Sequence, residues 1–469
     1  MSSFAGLHTA LSGLVAQRYG LDVTGANVAN ANTPGYSRQR VVMDPSTPVT
    51  TGTALFSRWD GPGTGVRVTD LQRVNDELVT QRVRQETSTA AFMDVDRAAW
   101  SRFEVALGEP GDTGLAARLS TFWSSWQDLA NSPGTAAARS QVLQAGAAVA
   151  DTLHGLGAAV TQAWTDARAQ VGQLLGEVDA TARAVADLNA AIRDATAAGG
   201  SVNELLDQRD QLVLRLSELT GATARPGDLG TVDVFVGGTA VVRGDRTTGL
   251  SLSAGAAGSI DEVLSGGAVS VTGAAGAPVD VPGGRIGALL DSLHRTWPGV
   301  MQRLDATAAD VASQVDTVHS TGLTQDGTAA GAFFTASDGG PVTARSITVA
   351  VTDPRDVAAA SGGAGALDGS LADALGRIGQ GPGSPDAAWR QLVGDVGSAA
   401  QAAERRSDSQ KVVVRDVTAA REAVSGVDID EELTNMVMFQ RAYEGAARML
   451  TAVDEALDTL INRTGVVGR

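Results

Sequence analysis

The sequence predicts a mainly helical fold with β insertions, built as nested domains and closed by N- and C-terminal helices that pair as a coiled coil. Apolar residues recur at spacings of three and four at both ends and through most of the interior, which is the pattern of amphipathic helices. Between residues 221 and 284 the period changes to two, which indicates strands. We therefore expect a long-helix middle domain that carries a small outer β domain.

The composition limits both the size of the protein and its chemistry. The 469 residues suffice for several domains, and because aromatic residues make up only 4%, the core must consist mainly of Ala, Val and Leu. The chain has no cysteine, which excludes disulfides, iron–sulfur clusters and thiolate zinc sites. Its net charge of −17 argues against nucleic acid as a main partner.

The hydropathy pattern argues against membrane insertion. No apolar run approaches the roughly 18 residues of a membrane-spanning helix. The N-terminus lacks the basic segment of a Sec signal, and His8 interrupts its apolar stretch. If the protein leaves the cell, we expect it to do so by another route.

The N-terminal segment predicts a helix followed by a sharp turn. Its apolar spacing weakens at Arg18 and then resumes. The helix ends in a cluster of asparagines and at Pro34, which drives Thr33 out of helical geometry, while Gly35 can adopt a positive φ. The candidate assembly residues of this segment are Phe4, Leu7, Leu11, Leu14, Leu21, Val28, Asn27, Asn30, Asn32, Pro34, Gly35 and Tyr36.

The first half of the interior is predicted to be helical. After an extended region at 37–69, the spacing predicts helices at 71–107, 115–129, 135–198 and 202–219. Pairs of Gly and Pro residues separate these segments. The segment 135–198 predicts either one very long helix or two.

The second half of the interior alternates between strand and helix. Val232, Val234 and Val236 share one side of a predicted strand within the β region. A helix with a possible kink at Pro298 follows over 286–319. The next region is rich in Gly, with one strand candidate at 346–352, and helix resumes at 386 with a break at residues 425–426.

The C-terminal segment carries the most regular pattern. Asp428 followed by Glu431 is an acidic version of a capping box and predicts the start of a helix. The apolar stripe that follows keeps its spacing for more than three heptads, which is typical of a coiled-coil seam. Such seams at both ends of the chain favour an assembly surface, and a helix pair within one domain is the competing interpretation. Its candidate residues are Met436, Phe439, Tyr443, Ala446, Leu450, Val453, Leu457 and Leu460.

These boundaries predict four domains, two of them discontinuous in sequence. Residues 1–50 with 425–469 form a terminal coiled-coil assembly domain. Residues 51–222 with 285–320 and 386–424 form a long-helix domain. Residues 223–284 form the outer β domain, and 321–385 form a Gly-rich segment of strands and loops.

Motifs of enzymes and metal sites are missing from the sequence. It contains no P-loop, no complete GxGxxG, no GxSxG and no HExxH motif. The acidic group Asp428, Asp430, Glu431 and Glu432 lacks the loop glycine and later ligands of an EF-hand, so it fits a helix N-terminus better than a calcium site. We expect no catalytic residue, no cofactor and no metal.

Three groups of residues carry a resemblance to a known family. Residues 25–37 (GANVANANTPGYS) resemble the N-terminal signature of bacterial flagellar rod, hook and hook-associated proteins. Residues 430–443, with DEELTNM and FQRAY, are similar to the C-terminal signature of that group. In the interior, 128–139, 203–212 and 284–290 resemble flagellar hook-associated protein 1, the first hook–filament junction protein. The resemblance covers 1–335 in patches and 425–469.

The resemblance implies a structural subunit that joins the flagellar hook to the filament. It implies a ring of identical subunits whose terminal helices pack as a coiled-coil tube, with the hook protein and the second junction protein as neighbours. It also implies export by the flagellar type III apparatus to the hook–filament junction outside the cell. A cytoplasmic export chaperone is expected to bind the C-terminal region beforehand.

Three alternatives remain open at this stage. The chain could be another axial subunit, namely a hook, rod or second junction protein, although rod and hook proteins lack the long helical middle. It could be a secreted enzyme with its active domain within 223–385, although no nucleophile–base set stands out there. It could also be a cytosolic acidic coiled-coil scaffold. Because segments that fold on binding are disordered beforehand, we expect 1–30 and 428–465 to be mobile in the monomer.

Overall fold

The protein is mainly helical, and several small sheets pack on its helical body. The computed structural model describes residues 3–46, 65–362, 365 and 367–463. Two helices lie at the ends of the chain, α1 (Ser3–Asn30) and α11 (Ile429–Asp458), and they pack antiparallel against each other. No helix in the described ranges is both long and apolar enough to cross a membrane.

A hairpin joins the terminal helices to the body. Strands β1 (Gln39–Pro45) and β2 (Val66–Arg73) pair antiparallel, with a bulge between Val42 and Met43. The prediction of helix from residue 71 is therefore wrong for 71–76. Helix α2 (Glu77–Leu107) begins only after Asp76, whose carboxylate accepts hydrogen bonds from the N–H groups of the next turn.

The helical body is a layered core of long helices. Helix α3 (Leu115–Asn131) and α5 (Asn203–Thr220) pack on α4 (Ala136–Ala197), which is a single helix of 62 residues. The long helix α10 (Pro385–Ser425) pairs with α2. Buried Ala, Val and Leu dominate this core, with Trp126, Trp164 and Trp389 as its largest fully buried apolar side chains.

The outer β region lies against the C-terminal half of α4. A sheet with the order β3-β4-β5-β6 is formed by Thr223–Pro226, Val232–Val236, Thr239–Arg243 and Arg246–Thr247. A second sheet, β7-β8-β9, is formed by Ser251–Leu252, Val271–Thr272 and Pro278–Val279, and the short helix α6 spans Ile260–Leu264. The amide of Asn189 on α4 fixes the first sheet, because it bonds both the N–H and the carbonyl of Val232.

At the predicted kink the helix changes type instead, and the change begins at Ser292, six residues before Pro298. Helix α7 (Gly284–Asp291) continues through a π-helical turn at Ser292–Thr296 into α8 (Trp297–His319). Proline has no N–H to donate to the preceding turn, and a π turn relieves that mismatch. The freed carbonyl of Leu293 accepts a hydrogen bond from Trp164 Nε1 at 3.1 Å.

The Gly-rich segment holds more regular structure than the sequence predicts. Strand β10 (Gly322–Leu323) pairs with β13 (Ala360–Ser361), and β11 (Phe334–Ala336) pairs with β12 (Ile347–Val349). A short helix, α9 (Ser370–Gly376), follows. His319 is fully buried beside this segment, where its ring bonds the carbonyl of Gly331 and the N–H of Ala358.

Candidate assembly surface

The contact between α1 and α11 is a seam of small residues on α1. Gly6, Gly13 and Gly20 face Val453, Ala446 and Phe439 in that order, so the contacts step by seven residues along both helices. A strict seven-residue repeat gives a left-handed supercoil. A Cβ built on Gly13 lies 3.8 Å from the Cβ of Ala446, whereas one built on Gly20 lies 2.6 Å from the Phe439 ring. The glycines therefore allow the helices to approach closely.

The predicted seam residues of α11 are only partly buried. Those from Met436 to Leu457 are half-buried, and three of them meet the α1 glycines directly. On the whole helix, only Glu432 is buried. The side chain of Leu460 lies outside the described residues. Helix α11 thus has one side on α1 and the rest uncovered.

The predicted leucines of α1 do not form the centre of the seam with α11. Leu7, Leu14, Leu21 and Val28 are half-buried, and Leu11 is 50% exposed. The side chain of Phe4 lies outside the described residues. Apolar spacing missed the inner face because glycine carries no hydrophobic signal, although the recurrence of glycine every seven residues from Gly6 to Gly20 marks it.

Asn27 lies at the base of the helix pair, and its side-chain amide makes four hydrogen bonds within the chain. It is 1% exposed, and its Nδ2 donates to Gln39 O at 2.9 Å and to Glu432 Oε2 at 3.1 Å. Its Oδ1 accepts from the Tyr36 hydroxyl at 2.9 Å and from the N–H of Gln39 at 3.0 Å. One predicted residue thereby ties α1, the following turn, β1 and α11 together.

An ionic contact beside Asn27 links the turn to the start of α11. Arg38 Nε donates to Glu432 Oε1 at 2.7 Å, and its two terminal nitrogens donate to the carboxylate of Glu431. The Arg38 N–H also donates to the carbonyl of Ser425, the last residue of α10. These hydrogen bonds, led by those to Glu431, raise the pKa of Arg38. Neither Arg38 nor the burial of Glu432 was predicted from the sequence.

A buried cluster of charged residues on α5 bonds the other side of the turn. Asp207 accepts a hydrogen bond from the N–H of Ser37 at 3.0 Å and pairs with Arg73 Nε at 2.7 Å. Burial raises the pKa of Asp207. Burial would also raise the pKa of Asp210, but Arg73 and two further arginines outweigh it and hold that pKa below its usual value. The carboxylates thus anchor both the turn and β2 to the body.

The remaining predicted residues shape the turn itself. Gly35 has a φ of +79°, and any Cβ there would collide with Gln211, whose amide donates to the carbonyl of Pro34. Burial, assisted by nearby carboxylates, raises the pKa of Tyr36 to about 12, so its hydroxyl remains a donor to Asn27. Asn30 bonds only within its own turn, to Ala26 and Thr33, and Asn32 is exposed.

The outer faces of the helix pair carry many exposed apolar side chains. They belong to Leu11, Val15 and Tyr19 on α1 and to Ile429, Leu433, Val437, Met438 and Met449 on α11. Contiguous exposed apolar surface on a soluble protein marks a site of protein association.

Within the described ranges, no group of three or more His, Cys, Asp or Glu side chains is arranged to hold a metal.

Family models match three separate parts of the chain. Residues 100–334 match the flagellar hook-associated protein FlgK helical domain. Residues 7–36, which contain most of α1 and the turn, match the flagella basal body rod protein family. Residues 422–463, which contain α11, match the C-terminal domain of the flagellar basal body rod FlgEFG proteins.

Comparisons with whole proteins extend the match over the full chain. Flagellar hook-associated protein 1 of Bacillus subtilis is 30% identical, with all of both chains covered. The Escherichia coli protein of the same name is 23% identical over 97% of this chain and 99% of its own. The flagellar hook junction protein FlgK of Burkholderia pseudomallei shares the fold, with a TM-score of 0.64 and 16% identity over 74% of this chain and all of its own. The chain therefore belongs to the flagellar hook-associated protein 1 family.

Proposed function

We propose that this chain is a structural, non-enzymatic axial subunit that forms the junction between the flagellar hook and the filament. The observation that carries the proposal is the terminal helix pair. Its inner seam is closed within the chain, while its outer faces expose apolar side chains along both helices. Burying such side chains is worth about 25 cal/mol per Å², so these faces are stabilised by contact with other subunits.

The choice of the junction over other axial positions rests on the interior. The rod-type family models match only the two ends, whereas the hook-associated helical domain matches residues 100–334. The related proteins that cover the chain are named hook-associated protein 1. We infer that neighbouring subunits are further copies of this chain, with the hook protein on one side and the second junction protein on the other.

Export and location are part of the same proposal. We infer that the chain leaves the cytoplasm through the flagellar type III apparatus, in company with a chaperone on its C-terminal region, and functions outside the cell. A narrow export channel favours segments that unfold easily. Helix α11 has a single buried residue, Glu432, and isolated helices are only marginally stable in water. We therefore keep the expectation that 1–30 and 428–465, of which 1–2 and 464–465 lie outside the described residues, are mobile before assembly.

We also propose a role for each of the four domains. The terminal helix pair would supply the axial contacts, the long helices a rigid spacer, and the β region at 223–284 an outer surface. The Gly-rich segment 321–385 packs on the body through β11 and β12, which contact α8. It would serve to stiffen the spacer.

Electron microscopy of cells lacking the gene tests the proposed function. We expect hooks to be present, filaments to be absent and filament subunit to accumulate in the medium. A missing hook would assign the chain to the hook or rod. Intact, working flagella would overturn the proposal, and complementation with the wild-type gene controls for effects on neighbouring genes.

A further inference from the structure

His319 is the last residue of α8 and has an unusual environment for a titratable side chain. Of the four histidines of the chain, all of which the structure describes, only His319 is fully buried. Its ring lies between Trp126 of α3 and Phe333 of the Gly-rich segment, with ring centroids 6.0 Å and 5.5 Å apart. Water therefore cannot replace a hydrogen bond that this ring loses while the segment stays in place.

Two hydrogen bonds fix the protonation state of the His319 ring. Its Nδ1 lies 2.8 Å from the carbonyl oxygen of Gly331, which can only accept, so Nδ1 carries a hydrogen. The N–H of Ala358 donates to Nε2 at 3.0 Å, so Nε2 carries none. The ring is therefore neutral, and a second proton on Nε2 would face the donor of Ala358. Burial also lowers the pKa of His319.

The same ring holds both ends of one region of the chain. Gly331 lies just before β11 and Ala358 just before β13, so residues 331–358 leave the ring and return to it. Two carboxylates of α8 hold the interior of this region. Asp316 accepts from the N–H groups of residues 333 and 334 at 2.7 Å and 2.9 Å, and Asp305 accepts from that of residue 344 at 2.9 Å. Residues 331–358 are thus attached to α8 through three titratable side chains.

Two charged groups lie close to the His319 ring, and they act in opposite directions. Asp316, one turn earlier on α8, favours a charged ring. Arg139 of α4 is buried and donates to the carbonyl of Val357, beside the Ala358 N–H, so its positive charge disfavours a charged ring. The other charged side chains of the elements around the ring are exposed to solvent or ion-paired, namely Asp128, Asp326, Asp338, Arg345 with Asp261, Asp353, Arg355, Asp356 and Asp373 with Arg377.

We infer that His319 is a pH-sensitive switch, and that uptake of a proton by its ring releases residues 331–358 from α8 while the long helices stay folded. Protonation removes the acceptor of the Ala358 N–H and places two donors against each other in a site without water. Opening exposes the ring, and water then solvates both donors. The long helices are held by buried Ala, Val and Leu side chains, which do not titrate. The inference does not depend on the proposed function.

The size of the effect follows from proton binding. An exposed histidine takes up its proton near pH 6.5, whereas the closed state does so only at lower pH. The equilibrium constant for opening should therefore rise by up to ~25-fold between pH 7 and pH 5. Asp305 and Asp316 act in the opposite direction, because burial raises the pKa of each and the closed state takes up their protons first. A variant that changes only the histidine separates the two effects.

Amide hydrogen exchange of the full chain at pH 7 and pH 5, corrected for the intrinsic pH dependence of exchange, tests the switch. His319→Gln can still accept from Ala358 through its amide oxygen but does not titrate. The loss of protection in 331–358 between the two pH values should be about 10–25-fold larger in the wild type than in this variant. Protection of α4 should be the same at both pH values. The matched control is His294→Gln, because His294 also accepts a backbone N–H, from Val269 at 2.9 Å, but is exposed.

The control variant should lose protection in 331–358 as the wild type does. An equal loss in the wild type and in His319→Gln would overturn the inference. A parallel loss in α4 at pH 5 would indicate global unfolding and would overturn it as well.

Nitrogen NMR of the wild-type chain labelled at histidine gives a second test, which decides the matter if His319→Gln already lacks protection in 331–358 at pH 7. We expect His319 to be the neutral Nδ1–H tautomer at pH 7 and to become charged over the pH range in which the region loses protection. A charged ring at pH 7, or a ring that stays neutral while protection is lost, would overturn the inference.

Discussion

Glu432→Gln is expected to loosen the base of the helix pair while leaving the helical body intact. Glu432 is the one buried residue of α11, and its carboxylate accepts from Arg38 Nε at 2.7 Å and from Asn27 Nδ2 at 3.1 Å. Glutamine keeps the size but replaces one acceptor oxygen by an NH2 donor. That donor must face either Arg38 or Asn27, both of which are donors themselves.

The magnitude follows from the contacts that are lost. A hydrogen bond to a charged group contributes about 1.5–3 kcal/mol, and a buried donor left without its acceptor costs a similar amount. Arg38 retains Glu431, so we expect a loss of ~2–3 kcal/mol rather than the larger cost of an isolated buried charge. Glu431→Gln is the matched control, because that side chain is 56% exposed and exposed ion pairs contribute about 1 kcal/mol or less.

Amide hydrogen exchange of the full chain, read by mass spectrometry, measures the effect. Since every 1.4 kcal/mol is a factor of ten, Glu432→Gln should speed exchange in α1, the turn and α11 by at least about 30-fold where these segments are protected. In the parts that are already mobile before assembly, exchange should reach the unstructured limit. Exchange in α4 should not change. Equal effects of Glu431→Gln and Glu432→Gln, or a slowing of exchange, would refute the reasoning.

Three further predictions concern the helix pair and the helical body. Gly13→Ala should be neutral or stabilising for the helix pair and Gly20→Ala destabilising, with a difference of about 1–3 kcal/mol by hydrogen exchange, because only the second Cβ collides with a neighbouring ring; equal effects would contradict the seam. Leu450→Asp should block incorporation into flagella while the circular dichroism melt of the body is retained; normal assembly of this variant would contradict the predicted seam on α11. Burial lowers the pKa of His319, so the unfolded chain binds more protons below pH ~6.5 and urea-unfolding stability should fall from there as the pH decreases, less so in His319→Asn; a pH-independent stability would show that this histidine does not titrate on unfolding.

Periodicity in the sequence predicts the helical layers well and the helix boundaries less well. Long apolar patterns such as that of α11 predict a helix correctly, because each helical turn repeats the same spacing of apolar residues. The start of α2 was misplaced by six residues because the apolar pattern of 71–76 fits a helix and a strand equally, and pairing with β1 decides between them. Strands of two or three residues, such as β10 and β11, are too short to show any period.

The base of the helix pair could be predicted only in part. Asn27 and Tyr36 belong to a local motif and could be singled out from the sequence. Glu432 lies 405 residues from Asn27, which it bonds, and Asp207 lies 170 residues from Ser37, whose N–H it accepts, so no local pattern reveals either pairing. The inner glycine seam gives no apolar periodicity, because large apolar side chains carry that signal and this close helix contact is made by residues without a side chain.

Electron cryo-microscopy of isolated hook–filament particles tests the central claim most directly. We predict that α1 and α11 of each copy lie in the axial tube at the junction, with their exposed apolar faces covered by neighbouring subunits. The exposed residues Leu11 and Val437 should be buried there. Density that places the helix pair on the outer surface of the particle, with these side chains still facing solvent, would contradict it.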